Sequence, residues 1–556
     1  MKNEIHVLIK NGEKEEKVLC SAGTAIEELV HKFGHLPAPL VAVKANNEKL
    51  SISSPVEVNT VLEPILLDCH DGTAIYRTSL AFLLAVAARN VFPERNLYIG
   101  HSLGHSFYYT FLEGKCPDKA EIELLQNKML AIVKEDLPIS CRYMAYAEAM
   151  EFFTKHHQED TALLLEERCV SKVMINECAG FVDLYISPLV NRTGLLEAFE
   201  LMPYEDGFLL RFPATGAGKQ LEPFEDSPKI FSVYKEYKKW GRILGIHSVG
   251  RLNRMVSERN IKEYVRIAEA FHEKKISEIA NQIYEKRDTV RTVLIAGPSS
   301  SGKTTSAKRL SIALKVMGIE PIAIGLDNYY VGTDKTPRDE KGEPDFECLE
   351  ALDVPYLNQQ LLALLAGDEV TLPVFDFKAG RRREEGGKKI RLDRRTMLII
   401  EGIHGLNDAL TPQINRETKF KIYVSALTQL NLDDHNRIPT SDNRLLRRMV
   451  RDYQFRGAGA VRTFQMWPSV QRGERRHIFP FQNTADVAFN SALDYELAVL
   501  KVYAEHLLRS IKPHMPEYSE AVRLLSFLSN FAPILPHYVP GTSILREFIG
   551  ESEFKY

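Results

Sequence analysis

At 556 residues the chain is too long for one hydrophobic core, and its length predicts about two to four domains. Apolar residues at 44%, charged residues at 26% and a formal net charge of -3 are those of a soluble globular protein and exclude bulk attraction to nucleic acid or membrane. Seven scattered cysteines without a C-x-x-C pair exclude a disulfide framework. With no signal-like start and no apolar run of about 18 residues, the expectation is a soluble, cytoplasmic protein with reduced thiols.

The chain begins with IHVLIK, which alternates as a half-buried strand, and Asn11-Gly12 supplies a hairpin turn into EEKVLC. A short helix, AIEELVHKF, and two further strand-like runs, LVAVKAN and TVLEPI, complete a β-grasp pattern over residues 1–64. Residues 65–250 mix helix and strand, with TSLAFLLAVAARNVF and YAEAMEFFTKH reading as helices. An amphipathic helical link covers 251–288, an α/β pattern covers 289–510, and 511–556 form an extension that is helical and then Pro-rich. The fold class expected is multidomain, α+β followed by α/β.

The most specific signal is TVLIAGPSSSGKTTSAKRL. Gly297, Gly302, Lys303 and Thr304 satisfy G-x-x-x-x-G-K-S/T between a β-branched strand and a helix, the context this motif requires. Glycines let backbone N–H groups close around phosphate oxygens, and the helix amino terminus adds positive potential. Gly297, Pro298, Ser299, Ser300, Ser301, Gly302, Lys303, Thr304 and Thr305 are therefore expected to hold a nucleoside triphosphate. Within that set, Lys303 would reach the β- and γ-phosphates and the Thr304 hydroxyl would ligate Mg²⁺.

Two strand ends add carboxylates. PIAIGLDNYY places Asp327 at the carboxyl edge of the sheet, where it can take a proton from an attacking hydroxyl. RRTMLIIEGIHGLN ends a buried strand at Glu401-Gly402, suited to orienting Mg²⁺ or its water shell. Further on, Arg444, Arg447, Arg448 and Arg451 recur at three- and four-residue spacing, with Arg456 beyond, and share a helical face that could close over ATP.

These motifs, in this order, resemble the uridine kinase and phosphoribulokinase family. The resemblance adds Asp327-Asn328-Tyr329-Tyr330, Pro373-Val374-Phe375-Asp376-Phe377, Arg447-Arg448-Met449-Val450-Arg451-Asp452 through Arg456-Gly457, and Ala485-Asp486-Val487. It implies Asp327 as general base, Thr304 and Glu401 on Mg²⁺, Arg451 and Arg456 as lid arginines, and Tyr330, Phe375, Arg448 and Asp345 around the acceptor. The implied reaction is transfer of the γ-phosphoryl of ATP to the 5′-hydroxyl of a ribonucleoside. A phosphoribulokinase-like kinase of another small hydroxyl compound is the alternative. Phe375 and Ala458 stand where the family carries a tyrosine and an arginine facing the nucleoside, so strict uridine specificity is not expected.

Residues 1–64 resemble the TGS domain, and 65–250 resemble the editing domain of threonyl-tRNA synthetase, through RNLYIGHSLGHSFYYTFL and GFVDLYISPLVNRTG. The editing ligand pairs are replaced by Tyr76 and Leu80, and by Tyr185 and Leu189, so metal-assisted or thiol-based deacylation is not expected. His101 and His105 form an isolated H-x-x-x-H without a second pair. What is left for this half is RNA contact or a homo-oligomerisation scaffold; Arg381, Arg382 and Arg383 in a loop could join RNA contact, although solvated charge or closure over the substrate is the favoured reading for them. An ATP-switched RNA-binding regulator is the non-enzymatic reading.

Overall fold

The computed structural model describes residues 4–111, 115–340, 342–376, 379–383 and 385–556. Phe377 of the Pro-Val-Phe-Asp-Phe run, and Leu112 at the end of the SFYYTFL run, lie outside the described residues.

The first unit is a five-stranded mixed sheet. Glu4–Asn11 and Thr60–Leu66 pair in parallel at its centre, Lys14–Ser21 flanks one side, and Leu40–Ala45 and Glu48–Leu50 the other. The alternation of IHVLIK sends Ile5, Val7 and Ile9 against Ile26, Leu29 and Phe33, the packing of a β-grasp. The first hairpin turns on Gly12-Glu13 with Asn11 paired to Lys14, one residue later than expected. Gly12 takes the left-handed φ of 62° that a two-residue loop demands.

In the next unit, helix His70–Val91 packs beside two antiparallel sheets, one of three strands between Ser140 and Leu184 and one of four strands between Leu97 and Arg211. The third unit is an all-parallel sheet in the order Glu320–Gly325, Thr396–Glu401, Thr292–Ala296, Lys419–Ser425, Val487–Asn490. Thr292–Ala296 at its centre is buried throughout, which is why TVLIA reads as a continuous apolar run. In register, Gly325 lies opposite Glu401 and Glu401 opposite Ile295. Three chain segments therefore leave the same sheet edge together, and Gly297, Asp327 and Glu401 meet there.

Two segments read from sequence as a link and an extension are part of this core. Helix Ile261–Glu285, read from sequence as a link, buries Val265, Ile276, Ile279 and Ile283 in one cluster with Leu310 and Leu314 of the helix Lys303–Val316. Arg309 of the latter helix reaches back to Glu273 at 2.8 Å and Glu269 at 3.6 Å. The extension is likewise no appendage: Leu524, Leu528, Ile544, Leu545 and Phe548 lie in the same cluster as Val293 and Leu310. The halves are joined directly. Lys49 pairs with Glu520 at 2.8 Å, the Ile99 N–H donates to the Asp434 carbonyl at 2.9 Å, and Asn431 Nδ2 donates to the Ile99 carbonyl at 2.7 Å. Among the described residues, no helix is long and apolar enough to cross a membrane.

Candidate active site

Strand Thr292–Ala296 delivers the chain into the glycine-rich loop. A Cβ at Gly297 would stand 1.9 Å from the Val424 carbonyl oxygen, so only glycine fits that close approach. Ser300 and Gly302 take positive φ of 58° and 80°, which turns the loop back on itself. Its carbonyls are gripped from beneath. Arg444 donates to Ser299 O and Arg447 to Ser300 O, each at 3.3 Å, and Ser491 Oγ donates to Ser301 O. Above the loop, Lys303 Nζ donates to Pro298 O at 3.0 Å.

The helix Thr440–Arg456 does not present one arginine face to the nucleotide, as expected from spacing. Arg444 is buried on Glu474, with Nη2–Oε2 at 2.7 Å, and Arg447 on Glu496, with Nε–Oε2 at 3.0 Å. Both brace the loop. Arg448 Nη1 donates to Ser299 Oγ at 2.8 Å, and its Nε lies 3.2 Å from Asp452. Arg451 at 2.9 Å and Arg456 at 3.6 Å share that same buried Asp452. The physical reason is that a low-dielectric interior tolerates guanidinium only beside carboxylate, and Glu474, Glu496 and Asp452 supply it.

At the sheet edge, Thr304 Oγ1 donates to Glu401 Oε1 at 3.0 Å. Burial pushes the Glu401 carboxyl up to about 7, against the opposing pull of Lys303. Burial also raises Asp327, with Lys303, Arg456 and Arg451 pulling the other way. Lys303 itself is lowered by burial and opposed by Glu401, Asp327, Glu547 and Glu347. Four carboxyls therefore act on Lys303. The adjacent Thr304 and Glu401 oxygens are hard donors that fit Mg²⁺.

On the acceptor side, Tyr330 packs edge-on against Phe375 at 5.6 Å and Phe346 at 5.7 Å. The Tyr330 hydroxyl donates to Phe346 O at 3.3 Å, and the Phe375 N–H donates to Asn328 Oδ1 at 3.1 Å. Asp345, expected from the resemblance to hold acceptor hydroxyls, has one carboxylate oxygen engaged within its own turn: Oδ1 accepts the Glu347 N–H at 3.0 Å. Glu347, two residues on, is the carboxyl turned toward this site: burial and the Glu474 charge push it up to about 7, with Arg448 and Lys303 opposing. The expected arginine loop is a short hairpin strand, Arg381–Arg382 paired with Phe375–Asp376. Arg382 bonds Asp353 at 2.6 Å and Arg383 bonds Asp376 at 3.0 Å. Sequence reading missed Glu347, Glu474 and Glu547. The Ser299 N–H donates to Glu474 Oε1 at 3.0 Å, and Thr305 meets Glu547.

In the amino-terminal half, the residues replacing the editing ligands fill space. Tyr76, Leu80 and Leu189 are core residues, and the Tyr76 hydroxyl accepts the Ala198 N–H at 2.8 Å while facing Ala198 O at 3.3 Å. Burial pushes the Tyr185 phenol above its ordinary range. His101 stacks on Tyr234 at 5.5 Å, and burial lowers its pKa to about 3. His105 faces Glu222 at 3.2 Å instead, so the two imidazoles have separate partners.

With this geometry in view, residues 292–498 match the phosphoribulokinase / uridine kinase family. The carboxyl-terminal half is a P-loop kinase domain of that family. The amino-terminal region is similar to threonine–tRNA ligases. One from Symbiobacterium thermophilum is 26% identical over 224 residues, covering 40% of this chain and 34% of the ligase. One from Syntrophomonas wolfei is 27% identical over 264 residues, covering 44% of this chain and 40% of the ligase. The chain thus spans well under half of the ligases it matches. Among solved structures, a possible uridine kinase from Bacillus stearothermophilus is 21% identical and covers 38% of this chain and 100% of its own, with a TM-score of 0.25. A D-glycerate 3-kinase from Cryptococcus neoformans is 14% identical and covers 46% of this chain and 87% of its own, with a TM-score of 0.22.

Proposed function

We propose that this chain is an ATP- and Mg²⁺-dependent kinase that phosphorylates the 5′-hydroxyl of a ribonucleoside. The observation that carries the reading is the meeting of Lys303, Asp327 and the Thr304–Glu401 pair at one sheet edge, beside the aromatic walls Tyr330 and Phe375. The glycine-rich loop holds the triphosphate and Lys303 spans its outer phosphates. Asp327 accepts the proton of the attacking hydroxyl. Thr304 and Glu401 would hold Mg²⁺, which when bound would supply positive charge against the phosphates. Arg451 and Arg456 exert their field on Asp327 and remain available to the transferring group if Asp452 releases them.

On the acceptor side, the carboxyl groups of Asp327 and Glu347 can accept hydrogen bonds from acceptor hydroxyls. Aromatic rings suit the flat face of a base. Steady-state kcat/KM for uridine, cytidine, adenosine, guanosine and inosine with Mg·ATP tests the reading; turnover of none of them would end it. For the synthetase-like half we propose a scaffold that supports the kinase domain, since Tyr76, Leu80 and Leu189 fill the region where editing ligands would stand.

A further inference from the structure

We propose that the carboxyl-terminal segment Ser543–Tyr556 gates the nucleotide site, with the Glu547 carboxylate occupying a phosphate position; this rests on the glycine-rich loop being the triphosphate site. The first turn of the helix after such a loop offers backbone N–H and hydroxyl donors to phosphate oxygens. Here both donors of Thr305 go to one oxygen of Glu547: the N–H at 3.2 Å and the hydroxyl at 2.6 Å. A carboxylate oxygen and a phosphate oxygen ask the same of those donors.

The contact is part of a larger seat. Because the Thr305 hydroxyl proton is given to Glu547, the Tyr556 hydroxyl at 2.9 Å is the donor to Thr305 Oγ1. Lys308, one turn along, donates to the Lys555 carbonyl, and its ammonium lies 5.3 Å from the Tyr556 ring centre. Ile544 abuts the loop glycine so closely that a Cβ at Gly302 would stand 2.5 Å from Ile544 Cγ2. Phe548 lies 5.0 Å from the Arg447 guanidinium, which holds the Ser300 carbonyl. The segment thus touches the loop, its bracing arginine and the first turn of its helix.

Two anions cannot share the Thr305 N–H and hydroxyl without repulsion, so the nucleotide enters only when Glu547 turns away. The parts that can turn are defined by burial. Ile544, Leu545, Phe548 and Ile549 are locked in the core, whereas Glu547 is half-buried and Tyr556 is 60% exposed. Gly550, with φ of 88°, marks the break between the anchored stretch and the end of the chain. The tethered carboxylate competes at high effective concentration, and it lowers affinity for nucleotide without removing any phosphate-binding residue.

The test is titration calorimetry of Mg·ATP into wild type, E547A, E547Q and Y556F. Hydrogen bonds to a charged group are worth enough for E547A to bind Mg·ATP roughly 10-fold or more tighter than wild type. Y556F should show a smaller gain in the same direction. K303A placed on E547A should cancel the gain, which ties it to the glycine-rich loop. If E547A does not fold, the isosteric E547Q carries the same comparison. Equal or weaker binding by the folded Glu547 variant overturns the gate and leaves the nucleotide site standing. Failure of both wild type and variant to bind Mg·ATP overturns the gate together with the nucleotide-site reading.

Discussion

Lys303 and Asp327 carry the proposed chemistry at the scale of single residues, and each sits where burial makes charge costly. Lys303→Ala is expected to abolish phosphoryl transfer. Asp327→Asn is expected to retain Mg·ATP binding by calorimetry while lowering kcat by ~10²-fold or more. Wild-type turnover in Asp327→Asn would remove it as the base. A second residue tests the electrostatics of folding. His272 is buried, its Nε2 donating to Ala492 O at 3.0 Å, and burial with nearby Arg309 holds its pKa down to about 3. A histidine whose folded pKa is depressed contributes full stability above its unfolded pKa of ~6.5 and loses it as pH falls from there. Between pH 7 and pH 5 that amounts to about 2 kcal/mol. His272→Gln keeps an amide donor for Ala492, so its urea-derived stability should fall less over that interval by about this amount. That the loop, Asp327 and Glu401 meet at one sheet edge was legible in the sequence because their signals are local, a motif and two strand ends. Glu547 and Glu474 were not, since they meet Thr305 and Ser299 across 242 and 175 residues. Nothing near either glutamate marks its partner.

At the scale of elements, the helix Thr440–Arg456 shows what periodicity conveys and what it omits. Three- and four-residue spacing correctly put Arg444, Arg447, Arg448 and Arg451 on one helix. It could not say which arginines would find buried carboxylates, because Glu474 and Glu496 belong to the two helices Ala460–His477 and Glu496–Arg509. The distinction has consequences for stability. Arg447→Met leaves Glu496 buried without its cation, a loss of about 3–5 kcal/mol. Replacing both partners, as in Arg447→Met with Glu496→Met, removes the orphan charge and should recover much of that loss. Chemical denaturation of the two single variants and the double variant measures the coupling. Additive losses would mean that the pair is not the unit holding this helix under the loop. The extension reads from sequence as helical and then Pro-rich, and nothing in that pattern shows that Leu524, Leu528, Ile544 and Phe548 fold back into the core.

At the scale of the whole molecule, the kinase domain does not end where its family resemblance ends. One core cluster runs from Met144, Phe153 and Val173 of the synthetase-like half, through Leu252, Ile261 and Ile279, to Val293 and Leu310 beneath the glycine-rich loop and on to Phe548. Hydrophobic burial at ~25 cal/mol per Å² is lost from every such residue whose partner is cut away. A fragment of residues 289–510 would strip the long helix from one side of the P-loop helix and the extension from the other. It would expose Ala307, Leu310 and Leu314, and it would leave Arg309, 4% exposed in the intact chain, without Glu269 and Glu273. Exposed apolar patches of that kind promote aggregation. The expected outcome is that 289–510 expresses as insoluble or molten protein, whereas a fragment of residues 245–556 is more soluble and unfolds cooperatively. In the intact chain, calorimetry should show the synthetase-like region and the kinase domain unfolding together, because the Ile99–Asp434 and Asn431–Ile99 hydrogen bonds and the shared core couple them. A stable, cooperatively folded 289–510 fragment would refute the shared-core account. It would return the amino-terminal half to the status of an independent module.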